Sequence, residues 1–240
     1  SLLVVYFLFQ KLFNMKIVHI QSQYKGKEKL QLILFTAFCF AMLIVRMIYT
    51  NSFEYRFMGI NLLLAWIPYL LVLRIIKLNT RGHKIQIGIL LFLWLIFFPN
   101  APYMITDIYH LEEFDSAPKW FDLIMLLSFA WTGMMLAFIS FRKLHRRFLR
   151  MKKTWVHLVT VFSIFFSCGI GIYLGRYERW NSWEIITQPR VLTTEFLQLL
   201  NNQLAVAQML SLSVVFGAFF TLIYLFVFTQ TKPVQISDKA

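Results

Sequence analysis

The length of its apolar blocks limits this chain more than any other feature. Hydrophobic residues do not alternate with polar ones on a helical period. They run in long unbroken stretches, six of them, at 31–50, 58–76, 85–104, 121–141, 155–175 and 208–229. Each is close to the ~20 residues that a helix needs to cross a hydrocarbon core. In hydrocarbon every backbone N–H and C=O must be satisfied within the segment, so such blocks fold as helices across a bilayer. The fold class that follows is all-α: a polytopic transmembrane bundle of six spans. Residues 1–30 form a cytoplasmic or interfacial amino-terminal segment, 31–229 the bundle and 230–240 a cytoplasmic tail. Composition agrees. The chain is 59% hydrophobic and 15% charged, against about 25% charged in soluble domains.

Charge orients the bundle. With the amino terminus inside, the inner regions are 1–30, 74–84, 142–153 and 230–240, and they hold 18 of the 24 Lys and Arg. The acids do the opposite: nine of eleven fall outside. This is the bias that sets membrane topology, and six spans then place both termini in the cytoplasm. The net charge of +13 is therefore a product of orientation and not a nucleic-acid surface. Its ordinary partners are the lipid bilayer and anionic headgroups near the inner face. Cys39 and Cys168 both lie inside apolar blocks, where a thiol behaves as a small hydrophobe. The first fourteen residues are apolar but too short to span. They lack the basic start and cleavage site of a signal peptide, and Met15 is a suitable natural start.

Sorting polar residues by depth gives a strong asymmetry. The inner halves of the spans are nearly pure hydrocarbon. Arg46, Asn61, Asn100, Tyr103, Asp107, His110, Asp122, Arg176, Arg179, Trp180, Asn181 and Glu184, with Gln203 and Gln208, all gather at the outer ends. Ionisable groups at membrane depth are costly and point to a functional site. Each also has a plain reading. Arg46 can snorkel. Asp122 can cap the fourth helix. Arg176 and Arg179 can anchor the interface.

Two stretches are richest. In "FFPNAPYMITDIYH", 97–110, Pro99 and Pro102 lack backbone donors and disfavour helix before them, so the last turn of the third span should unwind and turn inwards. Asn100 is placed to satisfy freed backbone groups. Asp107 and His110, at i and i+3, are candidates for an acid/base pair or a two-ligand metal corner that would need Asp122 or Glu184 as a third ligand. In "GRYERWNSWE", 175–184, Arg176 and Arg179 share one helical face and suit an anion clamp. Trp180 and Trp183 fit an aromatic belt. Between this stretch and the sixth span, "VLTTEFLQLL", 191–200, reads as a short amphipathic helix capped by Thr193 or Thr194. No Walker loop, G-x-S-x-G elbow or H-E-x-x-H occurs, so no cofactor or metal is expected.

The segments "FPNAPYMITDIYHL" at 98–111, "WFDLIMLLSFAWTGMMLAF" at 120–138, "GIYLGRYERWNSWE" at 171–184 and "NLLLAWIPYLL" at 61–71 resemble a family of small bacterial integral membrane proteins, domain-of-unknown-function family 1361. The resemblance runs from about residue 35 to 228 and leaves 1–14 outside the family unit. It implies a multi-pass protein of the bacterial cytoplasmic membrane and supplies no activity.

The expectation is thus an outward-facing polar pocket that binds an envelope lipid, glycan or protein. A membrane-embedded enzyme using Asp107 and His110 is the second reading. A small-solute permease is the third, disfavoured because the inner half of the bundle offers no polar path.

Overall fold

A computed structural model describes residues 28–80, 82–114, 116–148 and 154–229. The expectations for the first 27 residues and for the carboxy-terminal tail lie outside the described residues. In chain order the elements are α1 (Glu28–Thr50), α2 (Arg56–Ile75), α3 (Lys84–Phe97), α4 (Asn100–Tyr103), a 3-10 segment (Met104–Glu112), α5 (Lys119–Phe148), α6 (Thr154–Arg176), α7 (Glu184–Thr187), α8 (Pro189–Asn201) and α9 (Gln203–Thr229). Among the described residues no strand occurs, and six helical stretches are long and apolar enough to cross a membrane. The chain is a multi-pass membrane protein. Large apolar side chains such as Leu34, Ile48, Leu63, Phe92, Leu222 and Phe226 stay exposed on the spans, as helix faces that meet lipid do.

Helix α5 is the axis. At 30 residues it is the longest element, about 45 Å at 1.5 Å per residue. It packs against α1, α2, α4 and the 3-10 segment. It also runs to Phe148, past the end of its apolar block at 141. The extension is tied down: Lys143 Nζ binds Glu28 Oε2 at 2.7 Å, and Arg147 Nη2 donates to the Leu78 carbonyl at 3.1 Å. Close packing on α5 requires a glycine. A Cβ at Gly133 would collide with the Ala101 carbonyl of α4.

Helices α6 and α9 form a separate antiparallel pair. They join the rest through an aromatic layer of Phe98, Phe138, Phe141, Phe165, Phe220 and Tyr224, whose ring centroids lie 5.0–6.5 Å apart in successive contacts. That layer closes the bundle across its middle. Trp94 is also part of it, tilted against Phe98 at 4.4 Å, with its indole N–H satisfied by Ser140 Oγ at 2.7 Å.

Helix ends follow local chemistry. Asn51 sits just past α1 at φ 48°, the left-handed stop that Asn tolerates. The amphipathic helix expected at 191–200 is α8, but its start differs. Pro189 opens it with Gln188 before it, and Thr193 and Thr194 lie inside, donating to the carbonyls of Pro189 and Arg190 at 2.7 and 3.0 Å. Proline prefers the first helical turn, so the helix begins upstream and leaves both threonines no capping position.

Candidate functional site

All the singled-out residues lie at one end of the bundle, with the loops 51–55, 113–114, 116–118 and 177–183. The prolines shape this end through a chain of displaced hydrogen bonds. Pro102 has no N–H for the Phe98 carbonyl. The Ala101 N–H moves to it instead, at 3.3 Å. That move deprives the Phe97 carbonyl, which the Asn100 side chain then satisfies at 3.0 Å. The segment therefore does not unwind into coil. It steps through one α turn, α4, into nine residues of 3-10 helix. Runs beyond three or four such residues are uncommon and often mark a hinge or strain. In this geometry residues i and i+3 eclipse, so Asp107 and His110 stand one above the other.

The two do not bond each other directly. Arg176 lies between them: its Nη1 is 3.5 Å from Asp107 Oδ1 and 2.9 Å from His110 Nε2. Guanidinium nitrogens only donate, so Nε2 must accept and Nδ1 carries the proton, which it donates to Glu113 Oε2. Asp107 is 1% exposed and also accepts from Asn61 Nδ2 at 3.1 Å. The imidazole lies edge-on to Phe57 at 4.9 Å. Both ring nitrogens and both carboxylate oxygens are engaged.

Arg46 builds a second network. It does not snorkel. It is 1% exposed and turns inwards to a bidentate pair with Asp122: Nε to Oδ1 at 2.8 Å, Nη2 to Oδ2 at 3.1 Å. Its Nη1 binds Glu54 Oε2 at 2.9 Å and its Nη2 binds Ser116 Oγ at 3.1 Å. The Ser116 hydroxyl donates to Glu54 at 2.7 Å. This hydrogen bond and the guanidinium beyond it hold the Glu54 carboxyl below the usual carboxylate range. Asp122 stands in the first turn of α5, but both its oxygens serve Arg46 and not the helix end. Tyr55 closes the cluster. Its ring lies under the guanidinium at 4.3 Å and its hydroxyl donates to the His110 carbonyl at 2.8 Å. Burial, with the Asp122 charge second, pushes its phenol up to about 12.

Beside these closed networks is a cavity of about 280 Å³. Asn61 and Leu64 of α2, Ile96 of α3, Pro99, Asn100 and Tyr103 form one side; Gly171, Leu174 and residues 179–183 form the other. The Pro99 ring sits on Gly171, where a Cβ would come within 2.5 Å of it. The loop is anchored twice. Asn100 Nδ2 also donates to Ser182 Oγ at 2.8 Å. Glu184 reaches back to the Asn181 backbone N–H at 2.8 Å and its side-chain amide at 3.0 Å, half of a capping box. These bonds hold the Glu184 carboxyl below its ordinary range.

Arg176 and Arg179 do not form one clamp, because α6 ends at Arg176. Arg179 takes φ 60°, a left-handed conformation that is uncommon outside glycine. The turn lets the Trp180 N–H reach the Leu174 carbonyl at 3.1 Å, capping a helix-end acceptor. It also places Arg179 on the cavity wall, exposed and without a hydrogen bond or ion pair among the described residues.

Of the sequence candidates, Asn61, Asn100, Tyr103, Arg179, Trp180 and Asn181 share the cavity. Asp107, His110 and Arg176 share the adjoining network. Arg46 and Asp122 form the closed pair, and Glu184 serves its own loop. Asp122 and Glu184 are thus both committed away from Asp107 and His110, and the third-ligand arrangement does not form. Gln203 and Gln208 are exposed and lie outside this set. Sequence reasoning missed Tyr55, Glu54, Ser116, Glu113 and Ser182. Only Ser182 had a signal, standing between two tryptophans in "RWNSWE".

A family model described as "Protein of unknown function (DUF1361)" matches residues 60–225. The chain belongs to this family. The match begins within α2 and so leaves α1, with Arg46, outside it. No curated protein and no solved structure matches.

Proposed function

We propose that this member of the DUF1361 family is a ligand-binding, accessory protein of the bacterial cytoplasmic membrane, with its cavity facing away from the cytoplasm. The Lys and Arg bias of the loops supports that orientation, with both termini inside. One observation carries the binding reading. The buried cation Arg46 and the half-buried Arg176 are each engaged by protein groups, while Arg179 lines a cavity and has no hydrogen bond or ion pair among the described residues.

The alternatives have less support. His110 does not line the cavity and has both nitrogens occupied, so acid/base chemistry on a cavity ligand would first require that network to open. The aromatic layer around Phe138 and Phe165 fills the path that a permease would need.

Both parts are testable in bacterial cells. Cys39 and Cys168 are buried, so an introduced thiol can be read alone. A membrane-impermeant maleimide should label Ser182→Cys in intact cells and Gly82→Cys only after permeabilisation. The reverse pattern sinks the orientation. Protein purified in polyoxyethylene micelles should retain a co-purified adduct by native mass spectrometry, and Leu64→Trp, which fills the cavity, should lose it. An adduct unchanged by Leu64→Trp, or none in either protein, rejects the binding reading.

A further inference from the structure

The cavity lining mixes two kinds of residue. Asn61, Asn100, Arg179, Asn181 and Ser182 are polar. Leu64, Ile96 and Leu174, contributed by three different spans, are apolar. Arg179 is the one charged residue in the lining, and no carboxylate joins it. Two acids of this end are bound by other groups: Asp107 by Asn61 and Arg176, and Glu184 by Asn181; Glu178, the chain neighbour of Arg179, is exposed and lies outside the lining.

Three side-chain donors in the lining are uncommitted, beside the amide oxygens of Asn100 and Asn181. Ser182 Oγ accepts from Asn100, which leaves its own proton to give. The Trp180 indole N–H and the Arg179 guanidinium make no hydrogen bonds among the described residues. Three separate donors with one positive charge suit an anion with several acceptor oxygens around one centre, which is a phosphate more than a carboxylate. The volume, about 280 Å³, is at the lower limit of small-molecule sites, about 300 Å³. It holds a headgroup and the start of one chain. On the same two helices Leu63 and Leu95, next in sequence to the lining residues Leu64 and Ile96, are exposed apolar side chains over which the rest of a chain could lie.

We infer that the ligand is a phosphate-headed amphiphile, its phosphate against Arg179 and Ser182 and its chain over Leu64 and Ile96. This rests on the cavity being the ligand site. The test is native mass spectrometry of the whole protein in polyoxyethylene micelles, titrated with dodecyl phosphate, dodecyl maltoside and inorganic phosphate. Dodecyl phosphate should bind saturably at one site. Arg179→Gln should weaken it by at least about tenfold, the ordinary worth of a hydrogen bond to a charged group. Ser182→Ala, a deletion on the loop that leaves the spans intact, should weaken it less. Inorganic phosphate should bind far more weakly, since it lacks the chain.

If dodecyl maltoside binds as well as dodecyl phosphate, or Arg179→Gln changes nothing, the phosphate assignment is wrong while the cavity stands as a site. If inorganic phosphate matches dodecyl phosphate, the site takes a free anion and the amphiphile is rejected. If none of the three binds saturably while the co-purified adduct persists, the class is wrong. Loss of both sinks the cavity as well.

Discussion

Arg46 and Arg179 stand at the same end of the bundle and are treated in opposite ways. Arg46 is buried, bidentate to Asp122, and further bound by Glu54, Ser116 and the Tyr55 ring. Arg179 is exposed, in a left-handed turn, beside a cavity and, among the described residues, unpaired. A buried guanidinium without partners would cost several kcal/mol, so the first arrangement is what packing α1 on α5 demands. The second arrangement serves the fold through its backbone, which lets the Trp180 N–H cap Leu174, and not through its guanidinium. An arginine can therefore be read as structural or as available only from its partners, not from its depth.

The largest expected difference lies in stability. Asp122→Ala leaves the Arg46 charge buried and should cost about 3–5 kcal/mol. Arg179→Ala touches no partner and should fall within about 0.5 kcal/mol of wild type. Unfolding by titration with a denaturing detergent reads both. The double substitution Arg46→Met with Asp122→Leu should recover much of the loss, because it removes both charges together. Equal losses for Asp122→Ala and Arg179→Ala would erase the contrast between the two arginines.

Two residues on the border between the networks should give intermediate effects. Asn61→Leu removes a partner from the buried Asp107 and should cost about 1–3 kcal/mol. Because Asn61 also lines the cavity, the same change should weaken ligand retention, which Asp122→Ala does only by unfolding the protein. Tyr55→Phe deletes the bond to the His110 carbonyl but keeps the ring under Arg46. A loss of about 1 kcal/mol is expected, with the cavity unaffected. If Tyr55→Phe abolishes ligand retention at unchanged stability, the two regions are one site and the distinction is wrong.

How much of this was legible beforehand depends on sequence distance. The spans were readable because a helix in lipid must be apolar over its whole length, a local property. The break at Pro99 and Pro102 was readable for the same reason, and so was the role of Asn100 in mending it. The 3-10 continuation was not, because proline shows where an α-helix loses a donor and not which helix follows. The Arg176 and Arg179 pairing failed because it assumed one helix through both residues. The partners of Arg46 were out of reach altogether: Asp122 lies 76 positions away, and only the packing of α1 on α5 joins them. Among the candidates, local sequence identified the residues, and non-local packing decided which were spent.

The smallest effect concerns acid, and it separates the arginines once more. Glu54 has its folded-state carboxyl held below the ordinary value of 4.5 by Ser116 and Arg46. Its contribution to stability is therefore complete above that value and is lost as pH falls through the lower folded-state value. Wild type should lead Glu54→Gln by a constant margin from neutral pH down to about 5. Below that the margin should shrink and vanish as the carboxylate of wild type takes up its proton. Comparing the two proteins cancels every other carboxylate. Glu54 is partly exposed, so the margin is modest and should fall further in salt. The matching comparison, wild type against Arg179→Ala, should stay flat over the same range, since no acid faces Arg179 in the lining. No margin for Glu54 at neutral pH would mean that its carboxylate contributes nothing and that Arg46 is held by Asp122 alone. An acid-dependent margin for Arg179 would reveal a carboxylate partner that the geometry lacks, and would remove the reason for calling it free.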